Sequence, residues 1–127
     1  MNNVSKYNNT YTGNRLRHIA FPLGGIGAGM ICLQGSGMLG NFSIRNSPEV
    51  HLEPNMFSAI CIKDDNGNSA KVLEGQVPYY KIFGGTAGKG HSGMGNGLEG
   101  KNYGLSRFRN NDFNASFPFA DLNLRKF

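Results

Sequence analysis

The chain contains no tryptophan and only two cysteines, and none of its apolar runs is long enough to cross a membrane. Cys32 and Cys61 each sit inside an apolar stretch, where a thiol behaves as a small hydrophobe; no disulfide and no secreted compartment are inferred from them. The opening MNNVSKYNNTYTGNRLRH lacks the apolar segment of a secretory signal, so a cytoplasmic location is expected. Acids are scarce, eight against thirteen lysines and arginines, which gives a formal net charge of +5 over 127 residues. The basic residues are scattered and form no run of five, a pattern that fits a solvated basic surface better than a polyanion track. Uninterrupted helical periodicity is also missing. No window of twelve residues free of glycine and proline carries it, so the fold class expected is mainly β, in one domain.

Glycine, by contrast, is abundant. Of the 19, nine fall between Gly84 and Gly104, which marks that tract as a long loop. Residues 1–14 are Asn-rich and read as a flexible arm, leaving 15–127 for the folded domain. Ile19–Leu33 is apolar with glycines between its ends, and MLGNFSI (Met38–Ile44) follows the turn-like QGSG as a further strand. Asn46–Pro54 holds two prolines and reads as an irregular crossing. FSAICIK (Phe57–Lys63) and SAKVLEG (Ser69–Gly75) form a β-hairpin about DDNGN, with Asn66-Gly67 at the centre of the turn. In its first strand every second residue can face a core. VPYYKIF (Val77–Phe83) is another candidate strand, near an edge because of Pro78. Asn110-Asn111-Asp112 reads as a turn. Phe113, Ala115, Phe117 and Phe119 then alternate with polar or proline positions, and Leu122 and Leu124 continue the alternation shifted by one. The last strand stops in mid-pattern at Arg125-Lys126-Phe127, so a fragment of a longer β domain is expected.

FPLGGIGAGMICL (Phe21–Leu33) raises the question of a nucleotide site. Gly25-Ile26-Gly27 begins a dinucleotide fingerprint, but Met30 stands where the third glycine belongs, and a strand follows instead of a helix. Around Lys89 the phosphate-loop spacing fails as well, with Phe83 in place of the first glycine and Gly90 in place of Ser or Thr. The remaining role for these glycines is close backbone approach or a bend. The acids are Glu49, Glu53, Asp64, Asp65, Glu74, Glu99, Asp112 and Asp121. Asp64 and Asp65 belong to the hairpin turn, Glu74 to the exposed end of the hairpin and Glu99 to the glycine tract. No two are visibly held across a cleft, as glycoside hydrolysis requires. His51 and Glu53 share one strand face but lack a third metal ligand. His18 and His91 have no evident partners, and no nucleophile elbow is present.

Three stretches in order carry a resemblance. HIAFPLGGIGAGMICLQGSGMLGNFSIRN (His18–Asn46), PEVHLEPNMFSAICIK with KVLEG, and YGLSRFRNNDFNASFPFADLNL (Tyr103–Leu124) resemble the N-terminal domain of glycoside hydrolase family 116, the non-lysosomal β-glucosidases that include glucosylceramidases. Ser106 stands where that family commonly has proline, and the glycine tract has no counterpart.

The resemblance implies an antiparallel β-sandwich, here its N-terminal portion, serving as scaffold and cleft wall for an (α/α)6 barrel of the same polypeptide. It implies a β-glucoside substrate engaged through that barrel, and no cofactor, metal, nucleic-acid partner or membrane span. The glutamate nucleophile and aspartate acid/base of such enzymes lie in the barrel, so no catalytic residue is carried onto this chain. Substrate-facing candidates are Gly24, Gly25 and Gly27, whose bare backbone can approach a sugar, and Arg107 on a cleft rim. The alternative is a small stand-alone β module that binds a carbohydrate or a polyanion through Tyr103, Arg107, Phe108 and Arg109. Against the polyanion, no nucleic-acid motif is present.

Overall fold

The computed structural model describes residues 9–24, 27–49, 52–65, 67–79, 81 and 102–125. The described residues are mainly antiparallel β, with eight strands in three sheets. One sheet has the order β1 (Thr10–Tyr11), β7 (Asn110–Ser116), β8 (Phe119–Arg125). A second joins β2 (Ala20–Leu23), β3 (Gly29–Gln34) and β4 (Leu39–Ile44). The third is the hairpin of β5 (Ala59–Asp64) and β6 (Gly67–Val72). Among the described residues helix is confined to short turns, including the 3-10 segment Gly13–His18.

The first two sheets meet through aromatic rings. Phe113 on β7 is fully buried, and its ring centre lies 6.0 Å from that of Phe21 on β2, tilted by 52°. The ring centre of Phe117 lies 6.2 Å from that of Phe21, tilted by 47°. Cys32 and Met38 complete this part of the core, while Val72 and Phe108 are buried at the base of the hairpin. Apolar burial on this scale is the main stabilising term of a small domain.

The glycine cluster lies in the connection between β2 and β3, and close approach explains its ends. A Cβ on Gly24 would lie 2.5 Å from the carbonyl oxygen of Gly29, and one on Gly29 would lie 2.5 Å from that of Ser43. Both glycines also have positive φ. Pro22 is tolerated because β2 is an edge strand. Further along, Met30 faces Ser43 and Cys32 faces Gly40, so Asn41 and Phe42 together oppose Ile31 in a bulge. Asn41 adopts φ 54° there, a conformation its short amide side chain accommodates.

Several expectations change. Residues Thr10 and Tyr11 of the expected arm pair with Asn114 and Phe113, and the 3-10 segment follows them; residues 1–8 lie outside the described set. The hairpin register sets Asp64 opposite Gly67, so Gly67 opens the return strand instead of occupying the turn centre. No alternate face of β5 is buried: all six of its residues are exposed, because no sheet among the described residues covers the hairpin. Tyr79 and Lys81 lie in a helical turn started by the Lys81 N–H donating to the Pro78 carbonyl (2.9 Å), where a strand was expected, and Val77 and Pro78 before it are irregular; Tyr80, Ile82, Phe83 and most of the glycine tract are outside the described residues. Asn110-Asn111-Asp112 begins β7 and is not a turn, since β8 offers that segment a full ladder. The real turn is Phe117-Pro118, with Ser116 paired to Phe119. Cys61 is exposed, although its apolar run suggested otherwise, whereas Cys32 is 3% exposed.

Two outcomes are expected. A thiol reagent should titrate Cys61 in the native chain and reach Cys32 only on unfolding; equal rates at both would contradict this packing. Gly35→Ala forces a methyl into the backbone of Leu16 and should lower unfolding stability by about 3 kcal/mol, measured by urea titration.

Candidate functional site

Two constellations of polar side chains are built on this frame. The first is a buried ion pair at the end of β6. The chain from Ser106 to Phe108 runs parallel to Val72–Glu74, held by the Val72 N–H on the Ser106 carbonyl (2.9 Å) and the Phe108 N–H on the Glu74 carbonyl (3.1 Å). This registers Arg107 beside Glu74, whose Oε2 accepts from Nε at 3.1 Å. The two side chains keep only 5% and 4% exposure. Arg107 Nη1 also donates to the carbonyls of Tyr103 (3.2 Å) and Leu105 (3.1 Å). Lys71 closes the unit, lying 5.7 Å from the centre of the Phe108 ring with its ammonium on the Arg107 carbonyl (3.4 Å). Burial pushes the Glu74 carboxyl above its ordinary value; the charge and hydrogen bond of Arg107, with Lys81 at longer range, pull it back only in part.

The second constellation lines a concavity of about 1380 Å³. Its walls come from the 3-10 segment, the β3–β4 turn, residues 76–79 and 81, and the first half of β7. In it, Gln34, Glu53 and Lys81 form a closed triangle. Lys81 Nζ donates to Gln34 Oε1 (2.7 Å) and pairs with Glu53, while Gln34 Nε2 donates to Glu53 Oε1 (2.6 Å). The bulge at Asn41 turns that residue toward the same space, and Asp112, paired with Arg125 across β7 and β8, stands on the far wall. The Ser36 hydroxyl borders it too, buried and without a hydrogen-bond partner. Amides, hydroxyls and paired charges of this kind suit a neutral polyhydroxyl ligand better than a simple ion.

Of the residues singled out in the sequence, His18, Glu53, Tyr103 and Arg109 line the concavity, whereas the substrate-facing candidates fall elsewhere. Gly24 and Gly27 lie in the β2–β3 connection and do not line the concavity; Gly25 is outside the described residues. Arg107 is buried under Glu74, and Phe108 under Lys71. Glu74, expected at an exposed hairpin end, is 3% exposed because the 106–108 segment covers it. The parallel contact between segments far apart in sequence leaves no periodic signal, which is why the ion pair was not foreseen. His51 and Glu99 are outside the described residues, and among those described no group of three His, Cys, Asp or Glu is placed to hold a metal. Nor is any described helix long and apolar enough to cross a membrane.

These features define a mainly β domain in which, among the described residues, each acid withdrawn from solvent (Glu53, Glu74 and Asp112) has a basic partner. Residues 20–126 match the family described as beta-glucosidase 2, glycosyl-hydrolase family 116 N-term, and the chain belongs to that family as its N-terminal domain. No curated protein matches the chain.

The ion pair makes an asymmetric prediction. Arg107→Met strands a buried carboxylate and Glu74→Gln a buried guanidinium that cannot shed its charge, so each should cost about 3–5 kcal/mol at neutral pH, and only the first cost should shrink as falling pH protonates Glu74. With the Glu74 pKa raised on folding, its protonated form favours the native state. That contribution is present below the ordinary carboxylate value and lost as pH rises through the raised one. Measured by denaturation against pH, the wild type should therefore gain on Glu74→Gln as pH falls; an unchanging difference would contradict the assignment.

Proposed function

We propose that this chain is the scaffold portion of a retaining β-glucosidase of the glucosylceramidase type. In this reading a barrel domain of the same polypeptide supplies the glutamate nucleophile and the aspartate acid/base. The polar concavity forms one wall of the cleft that receives the β-glucoside. The observation that carries the reading is the pairing of Glu53, Glu74 and Asp112 with Lys81, Arg107 and Arg125. A retaining mechanism needs one ionised carboxylate as nucleophile and a second carboxyl free to exchange its proton, about 5 Å apart. Carboxylates committed to cations serve as structural ties, and Glu74, although burial pushes its carboxyl up, does not line the concavity. The family match supports the substrate class. A polyanion-binding module would draw on Tyr103, Arg107, Phe108 and Arg109, and of these Arg107 and Phe108 are buried in internal contacts.

The 127-residue chain is expected to release no aryl alcohol from an aryl β-glucoside. Nuclear magnetic resonance titration with the same compound should shift amide signals at Gln34, Asn41 and Tyr79 ahead of those in the β5–β6 hairpin. Turnover that tracks the folded chain through purification would overturn the scaffold assignment. Shifts confined to the hairpin would overturn the placement of the cleft wall.

A further inference from the structure

Among the described residues, the non-glycine positions with positive φ are Asn41, Arg45 and Asn46. Arg45 and Asn46 belong to the turn closed by the Ser47 N–H on the Ile44 carbonyl (3.2 Å), where such backbone is ordinary. Asn41 differs, because it lies inside β4 at the bulge opposite Ile31. Glycine takes this conformation at least cost, and left-handed backbone retained by another residue points to a use for its side chain. Asn41 is half-buried and lines the concavity, and among the described residues its amide has no hydrogen-bond partner.

The surroundings of Asn41 leave that amide available. A Cβ on Gly40 would collide with the Gln34 amide, so the bare backbone at Gly40 lets the Gln34–Glu53–Lys81 triangle lie against β4 beside Asn41. Gln34 donates and accepts within that triangle, whereas the donor and the acceptor of Asn41 are both unspent. We propose that Asn41 selects the ligand of the concavity, its amide donating to one hydroxyl of a pyranoside and accepting from the next. A carboxamide presents donor and acceptor side by side, which suits two neighbouring equatorial hydroxyls and does not suit a simple ion. The inference rests on the concavity being the wall that receives the glucoside, and it adds which side chain reads the sugar.

Asn41→Gly separates this role from a purely structural one. Glycine accepts the bulge backbone, so the urea midpoint should match or exceed that of the wild type. Affinity of the 127-residue chain for an aryl β-glucoside, measured by nuclear magnetic resonance titration, should fall about tenfold. Asn41→Asp, which when ionised accepts but cannot donate, should bind with intermediate affinity. Wild-type affinity in Asn41→Gly would overturn the proposal and leave the concavity as the glucoside wall. A urea midpoint that falls together with the affinity would also overturn it, because Asn41 would then act through the fold alone. A wild-type chain whose concavity signals ignore the glucoside would overturn the cleft-wall reading and the role of Asn41 together.

Discussion

The three sheets are joined at one turn, Gly35–Gly37, and it tolerates no side chain at either end. A Cβ on Gly35 would enter the backbone of Leu16, and one on Gly37 would meet the side chain of Leu122. Between them, the Gly35 carbonyl accepts from the Asn111 amide (2.6 Å) and the Ser36 carbonyl accepts from the Gly75 N–H (2.7 Å). The β3–β4 connection thus touches the 3-10 segment, β7, β8 and the chain just after the hairpin within three residues. Tight packing of this sort transmits any added volume directly to the backbone. Gly75 extends the same constraint, since a Cβ there would collide with the Asn111 side chain. Gly35 and Ser36 of this turn also line the concavity.

Electrostatics then fixes what glycine packing brings together. Glu74 immediately precedes Gly75, so the backbone that docks on the Ser36 turn also carries the buried carboxylate. Taking that carboxylate out of water is costly, and Arg107 meets the cost only in part, as the raised Glu74 pKa shows. Such a pair specifies geometry more than it adds stability, and here it specifies that residues 103–108 lie against β6. The Gln34–Glu53–Lys81 triangle does the same for the crossing segment around Pro54, tying it to β3 from inside the concavity. The basic excess of the chain is consistent with this use: each withdrawn acid has a cation at hand.

Much of the fold was legible in local pattern. The β class, the strands around MICLQ and GNFSI, the hairpin at DDNGN and the glycine cluster as a backbone-approach site all follow from period, turn chemistry and spacing. What was missed has a common physical cause. The strand at Asn110–Asp112 was obscured because turn-forming residues are acceptable in a strand that gains a full ladder on one side and a partial one on the other. Glu74 was placed on the surface because its cover comes from thirty residues downstream, in parallel, with no signature in either segment alone. The concavity was not anticipated because its wall combines short pieces of four separate regions. None of Gly24, Gly27 and Arg107 lines it, since isolated residue chemistry does not reveal which way a segment faces.

The sequence by itself determined the class of the fold, the family through three ordered stretches, and the places where backbone must come close to backbone. Those properties reside in residue type and short spacing, which act before the chain is assembled. Only the tertiary structure decided which acids are buried, which cation meets each, and which polar side chains share a cavity. These depend on distances between segments far apart in the chain. Desolvation, the dominant influence on Glu74, exists only once those segments have closed over it.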